Sequence, residues 1–343
     1  MPRSKLALVF CFAVAFLILL PSGRPVFADS GRHGRCHQHR FALFSEWSEP
    51  DNLGPVINSE FNDQHPAIAA DGLSLYISSD RPGGFGDFDI YVSQRASPND
   101  DWGPPQNLGP NINTEFNDSV PTFSADGHRM YFCSYRPGSP SPNGNIWVSF
   151  RNDARDDFGW ELPSVLGSEV NTERGECGPT LFEDRREGVT TLYFTRCVGD
   201  HCTFGDPNQR FDIYASVMNA DGTFGTAVPV AELNSGYRDT RTAIRNDGLE
   251  LFLTSSRPGG LGALDLWDST RPSTLAPWST PVNLGLRINT AFNEGAPALS
   301  CDGTTLYFYS NRPGGFGMND LYVTHRHQLH GHHHHHEAHE CQR

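Results

Sequence analysis

Three ionisable positions recur along this 343-residue chain, and their types and spacing are where chemistry would first be sought. An acid stands at Asp63, Asp118, Glu176, Asp239 and Glu294, with successive spacings of 55, 58, 63 and 55 residues. An arginine stands at Arg81, Arg136, Arg196, Arg257 and Arg312, and an Asp or Asn at Asp89, Asn145, Asp212, Asp265 and Asp320. An arginine fork binds carboxylates bidentately and can hold loop carbonyls. The triple therefore reads as a repeated structural latch, since a single substrate has no use for five copies of one group. The competing reading is a ring of charge at a channel mouth that gathers cations or a basic peptide.

Function is expected where the repetition breaks. The two positions after each acid are Gln64-His65, Ser119-Val120, Cys177-Gly178, Thr240-Arg241 and Gly295-Ala296. Gln64, His65, Cys177 and Arg241, beside Asp63 and Asp239, are candidates for a polar ligand pocket. The plainer reading has His65 and Arg241 satisfy nearby backbone or the neighbouring acids. A second departure is the insertion Cys197 to Arg210, which carries Cys197, His201, Cys202 and Asp206. A Cys197–Cys202 disulfide is the first expectation there. Free thiols come next and a zinc site last, because the spacing is long for a knuckle and a second ligand pair is missing.

Histidines crowd both ends. His332, His333, His334, His335 and His336 form a run that can take Zn, Ni or Cu, and His33, Cys36, His37 and His39 form a second group. A shared site of the two termini, or a Cys36–Cys341 bond, is geometrically conceivable. No cofactor is required by any motif. GxSxG, HExxH, a Walker A loop and a dinucleotide fingerprint are all missing, and Asp87-Phe88-Asp89 lacks EF-hand spacing. The reading is therefore of binding ahead of catalysis.

The elements that must position these residues are internal repeats. INSEFNDQHPAIAADGLSLYISSDRPGGFGDFDIYVSQR from Ile57 recurs from Ile112 and from Ile288, with divergent copies from Val170 and Leu233. In the first copy a short apolar strand, Ala67 to Ala70, meets a turn at Asp71-Gly72. Leu73 to Ser78 alternates, Arg81-Pro82-Gly83-Gly84 breaks the chain, and Asp89 to Ser93 and Trp102 to Leu108 follow as third and fourth strands. Four strands per repeat without an amphipathic helix mean propeller blades. The fifth repeat has three strands, and Trp47 to Leu53 matches the fourth-strand segments at Trp102 and Trp278. The fold expected is all-β: a five-bladed β-propeller of four antiparallel strands per blade, with the N-terminal strand completing the last blade and hiding two sheet edges.

The pattern SxDGxxLYFxSxRPGGxGxxDLYVS resembles the WD40-like propeller repeats related to the TolB C-terminal propeller. Copies one, two and five carry it well, as do the turn and RPGG of copy four. Copy three departs, with Glu183-Asp184-Arg185 at the turn and Cys197-Val198-Gly199 for Pro-Gly-Gly. The resemblance covers about residues 44–328 and implies a partner-binding or scaffold propeller of the bacterial envelope. TolB-like chains also carry an N-terminal α/β domain, for which this sequence leaves no room.

Arg3 and Lys5, an apolar run from Leu6 to Leu20, and Val26-Phe27-Ala28 read as a cleaved signal peptide. The expected organisation is 1–28 signal peptide, 29–40 extension, 41–328 propeller and 329–343 His-rich tail, in a monomeric, secreted or periplasmic protein without a membrane span after cleavage. Cleavage takes Lys+Arg from 26 to 23 against 40 Asp+Glu, a balance of −17. That charge argues against nucleic acid and anionic membranes. Lys5 is the only lysine, so lysine-based catalysis is excluded from the mature chain. Seven cysteines remain after cleavage, with Cys133 and Cys301 read as buried small hydrophobes. The function expected is a binding or scaffold module for a protein, peptide or envelope glycan. The alternatives are a glycoside hydrolase using channel carboxylates and a metal-binding protein acting through its tail.

Overall fold

The computed structural model describes residues 43–199 and 209–329. The signal peptide, the extension, the His run and Cys202 lie outside the described residues. Five four-stranded antiparallel sheets form the propeller. The first blade is β3 (Asp63–Ile68), β4 (Ser74–Ser79), β5 (Asp89–Gln94) and β6 (Gln106–Asn107). The second is β7 (Asp118–Phe123), β8 (Arg129–Ser134), β9 (Asn145–Phe150) and β10 (Ser164–Val165). The third is β11 (Glu176–Asp184), β12 (Val189–Cys197), β13 (Phe211–Val217) and β14 (Val228–Pro229). The fourth is β15 (Asp239–Ile244), β16 (Glu250–Ser255), β17 (Asp265–Thr270) and β18 (Val282–Asn283). The fifth joins β19 (Glu294–Leu299), β20 (Thr305–Ser310) and β21 (Asp320–His325) to β2 (Asp51–Asn52) from the start of the chain.

Strand limits differ from the sequence expectation in two ways. The innermost strand starts at the acid, Asp63, rather than at Ala67, because a bulge between Gln64 and Ala67 lets it bend without leaving the ladder. The fourth strand shrinks to two residues, Gln106 and Asn107 in register with β5, with single amide bonds from Gly103 and Leu108 on either side. The second strand of each blade is buried almost throughout, as all six residues of β4 show. Neighbouring blades cover both of its faces, so the polar positions that alternate in sequence are small serines inside the ring.

The Asp-Gly turns behave as side-chain chemistry dictates. Ala69 carbonyl accepts the Gly72 amide at 2.9 Å and Asp71 Oδ1 accepts the Leu73 amide at 2.9 Å. Gly72 sits at φ 73°, in the left-handed region that glycine adopts without a Cβ clash. Blade three has no such turn. Asp184 Oδ1 accepts the Arg186 amide at 3.0 Å instead, and its first two strands lengthen to nine residues each.

One repeated device joins blades and a second braces blades from within. An asparagine ahead of each innermost strand both donates to and accepts from the third strand of the preceding blade, as Asn113 does with the Ile90 carbonyl and amide, both at 2.9 Å. Asn171, Asn234 and Asn289 repeat this on Ile146, Ile213 and Leu266. Asn58 repeats it on Leu321, at 2.8 and 3.1 Å, across the closure of the ring. In blades one, two, four and five the third strand is followed by an arginine that holds the Asp-Gly turn and stacks on the tryptophan ahead of the fourth strand. Arg95 lies 4.1 Å from the Trp102 ring and Arg326 lies 4.4 Å from Trp47. Trp47 therefore does for blade five what Trp102 does for blade one. With Asn52 paired to Tyr322, this establishes the expected closure. A two-stranded ribbon, β1 (Leu43–Phe44) with β22 (Gln328–Leu329), extends the closure one step further than expected, since Leu329 had been assigned to the tail.

Candidate functional site

The repeated acid and arginine meet in every blade, deep in the structure. Asp63, Asp118, Glu176, Asp239 and Glu294 are fully buried. Arg81 Nη2 reaches Asp63 at 2.5 Å, Arg136 reaches Asp118 at 2.7 Å, and Arg196 reaches Glu176 at 2.9 Å. Arg257 reaches Asp239 at 2.6 Å and Arg312 reaches Glu294 at 3.2 Å. Each carboxylate also accepts the amide and hydroxyl of a Ser or Thr four residues earlier, as Asp118 does from Thr114 at 2.7 and 2.6 Å. Each arginine further donates to the backbone carbonyl of Ile57, Ile112, Val170, Leu233 or Ile288. Asp63 and Asp239, considered as ligand contacts from the sequence, have their lone pairs taken up in this way.

The second repeated carboxylate holds the loop after the arginine. Asp89 accepts the Phe85 amide at 2.5 Å, Asp265 the Leu261 amide at 2.7 Å and Asp320 the Phe316 amide at 2.6 Å. Asp212, in the divergent blade, accepts Arg210 Nη2 at 3.0 Å instead. Burial outweighs these hydrogen bonds and raises the Asp89 and Asp265 pKa values above the usual range.

One step along each innermost strand the backbone does something costly. His65, Val120, Arg241 and Ala296 have φ between 49° and 59°, and Gly178 has φ 64°. Side chains in this region cost roughly 1–2 kcal/mol per residue. A hydroxyl from the preceding blade holds three of the five amides. Val120 N donates to Ser78 Oγ at 3.0 Å, Arg241 N to Thr195 Oγ1 at 3.1 Å, and Ala296 N to Thr254 Oγ1 at 2.9 Å. The prolines that follow, Pro66, Pro121, Pro179 and Pro297, leave the channel-facing edge with fewer amides to expose.

This ring of five residues lines one part of a central channel pocket of about 190 Å³. The pocket opens among the Asp-Gly turns, past Ala70, Ala125, Asn246 and Cys301. Gly178 and Ala296 leave space, Val120 gives an apolar patch, and His65 and Arg241 bring polarity. Because blade five lies between blades four and one, Tyr309 stands between these two. Its ring centroid is 6.2 Å from that of His65, and Phe88 lies on another side at 6.4 Å. Burial, then the charges of Arg241 and Arg238, hold the His65 pKa well below its ordinary value, so the imidazole is neutral at pH 7. Burial also lowers Arg241, to about 10, and it stays cationic at neutral pH. The other groups acting on it are Tyr309, Arg238 and Tyr135, with no carboxylate among them. Buried polar atoms without a hydrogen-bond partner face this space: His65 Nδ1, Arg241 Nη1 and Thr242 Oγ1.

Of the residues singled out from the sequence, the structure brings His65 and Arg241 together and leaves two others out. Gln64 and Cys177, one position earlier, do not line the pocket. Gln64 donates weakly to Asn62 at 3.4 Å. Cys177 is bonded to Cys133 across blades two and three, with Cα atoms 5.0 Å apart, so it offers no thiol to a ligand. Cys133 is buried as expected of a small hydrophobe, but it is disulfide-bonded, and Cys301 is disulfide-bonded as well. Cys197 is in a disulfide too, while Cys202 lies outside the described residues. The Cys133–Cys177 bond follows from strands of neighbouring blades that face each other, a proximity sequence spacing does not reveal. Sequence reasoning missed Thr242, whose only signal is that it replaces the proline of the other four blades. It also missed the channel carboxylate Glu183, which lies near the end of the lengthened β11 and accepts the Ala125 amide at 2.8 Å. Among the described residues, no group of three His, Cys, Asp or Glu is placed to hold a metal ion. His332 to His336 lie outside them.

No family model and no curated protein sequence matches the chain. Solved structures do. An α-L-arabinofuranosidase from Lactobacillus brevis is 16% identical with TM-score 0.53, over 82% of this chain and 94% of that one. An arabinanase from Bacillus subtilis is 13% identical with TM-score 0.53, over 80% and 96%. The catalytic domain of a GH62 α-L-arabinofuranosidase from Coprinopsis cinerea is 14% identical with TM-score 0.50, over 82% and 96%. The likeness is one of fold. It establishes the five-bladed propeller. These similar structures are glycoside hydrolase propellers, whereas the repeat motif had suggested the WD40-like, TolB-related family.

Proposed function

We propose that this is an exported propeller that engages a carbohydrate in the channel pocket between its Asp-Gly turns. The observation that carries this reading is the set of buried, unpartnered polar atoms on His65, Arg241 and Thr242. Leaving such an atom unpaired costs about 1–3 kcal/mol, and a hydroxyl-rich ligand would recover that. Strained backbone at the same ring supports a built site, since conformations of this kind concentrate where function over-determines them. The similar structures, named as enzymes of arabinose-containing glycans, support a glycan ahead of the protein or peptide of the scaffold reading. Titration calorimetry of the full chain against arabino-, xylo- and hexo-oligosaccharides tests it. Binding that weakens in His65→Phe supports the reading, and silence across all three series rejects it.

The second reading is a glycoside hydrolase, which the fold likeness favours over a scaffold. Glycoside hydrolysis uses two carboxyl groups about 5–9.5 Å apart. Glu183 is the one carboxylate lining the pocket among the described residues, while the five repeated acids are taken up by arginines. Release of nitrophenol from aryl arabinofuranosides and xylosides, lost in Glu183→Gln, would establish this reading over simple binding. Asp63→Asn is a poor control, because it would unbalance Arg81. The WD40-like scaffold relationship, secretion or periplasmic location, and metal capture by the His tail remain part of the proposal for the whole chain.

A further inference from the structure

We propose that the pocket selects an acidic sugar, a uronate whose carboxylate sits on the Arg241 guanidinium. This rests on the carbohydrate reading above and adds the charge of the ligand to it. The contrast among arginines carries the inference. Those of the latch each hold a buried carboxylate, Arg151 holds Asp157 at 2.8 Å, and Arg326 holds Glu250 at 2.6 Å. Arg241 is recessed in the channel with Nη1 buried and unpartnered. The charged or titratable groups acting on it are two tyrosines and another arginine. A cation taken from water without a counter-charge is expensive, and this one also sits on left-handed backbone at φ 50°. In a chain of net charge −14, forty acids were available to neutralise it, yet the pocket wall offers Glu183 alone, which is engaged by Ala125 N.

The missing counter-charge is what a carboxylate ligand brings. Arginine suits this role because its planar fork matches a carboxylate. His65 Nδ1 and Thr242 Oγ1 supply further hydrogen-bonding positions for ring hydroxyls. A volume of about 190 Å³ corresponds to roughly six waters, enough for one sugar residue. Val120, Ala296 and the prolines offer apolar contact to the sugar's C–H face.

Calorimetry on the full chain with matched pairs, D-glucuronate against D-glucose and D-galacturonate against D-galactose, tests the charge requirement. The expected result is that a uronate binds roughly 10- to 100-fold tighter than its neutral partner, the range for a hydrogen bond to a charged group. Arg241→Asn, chosen because Asn tolerates left-handed backbone, should erase that preference, and Arg241→Lys should restore part of it. Thermal melts confirm that both variants fold. Equal affinity for acid and neutral sugars, or a preference that survives Arg241→Asn, overturns the charge inference and leaves the carbohydrate reading standing. Acetate is the control probe. Arg241-dependent acetate binding with no sugar binding assigns the seat to a carboxylate from a peptide end and overturns the sugar assignment. Silence towards acetate and every sugar overturns both.

Discussion

The latch and the channel ring lie within a few residues of each other on every innermost strand, yet they solve opposite problems. At the latch an acid and an arginine occur in all five blades, and each buried charge is matched. At the ring the residues are His65, Val120, Gly178, Arg241 and Ala296, and the polar ones keep buried atoms unpartnered. Identical groups in all blades serve what the blades share, which is assembly. Different groups at equivalent places serve what only the whole ring has, which is one central pocket. The difference teaches that in a repeat protein the informative positions are those where equivalence of backbone survives and equivalence of side chain does not.

The largest effect expected is at the latch. Arg136→Ala should cost about 3–5 kcal/mol, because it strands Asp118, fully buried, without its cation. Denaturant unfolding reads this directly, and a loss under about 1 kcal/mol would mean the latch is ornamental. Second comes the covalent tie beside the ring. Replacing both Cys133 and Cys177 by Ala opens a bond of sequence separation 44 and should cost roughly 2–4 kcal/mol. Equal unfolding midpoints of oxidised and reduced protein would contradict that.

A smaller effect distinguishes a carboxylate that lacks the latch's compensation. Burial, then the nearby Glu250, raises Asp268 to about 6. Its folded pKa exceeds the unfolded value, so the stability it contributes is present below about pH 4 and is lost as pH rises through 6. Asp268→Asn should therefore raise the melting midpoint at pH 8, by about 1 kcal/mol in stability, and give no gain at pH 4. Smallest is the ring itself. Arg241→Asn should cost no stability and should raise it by up to about 1 kcal/mol, since it removes a recessed cation and leaves no partner stranded. A loss of latch size would show that Arg241 is structural and would remove the contrast.

Much of the fold was legible because propeller blades are made by local pairing. Asp71-Gly72, the alternation of β4 and the recurring Arg81-Pro82 each act within a few residues, so one copy read correctly gives the others. Closure was legible too, since Trp47 matches Trp102 and Trp278 and has no blade ahead of it. The site was legible only to the extent that His65 and Arg241 are odd among their equivalents. Gln64 and Cys177 were odd in the same way, and nothing in their sequence positions told them apart. The bulge between Gln64 and Ala67 breaks the ladder at that point, and beyond it His65 lines the pocket while Gln64 does not.

From its residues alone this protein was bound to form antiparallel blades with Asp-Gly turns, repeated five times and tied end to end, because those choices depend on backbone preferences over short stretches. The tertiary structure decided that Cys133 meets Cys177 and that His65 and Arg241 line one pocket, with Glu183 the one carboxylate among its described lining residues. Those facts depend on how one blade lies against the next, and residues some 40 to 60 positions apart acquire their electrostatic surroundings only when the ring closes around them.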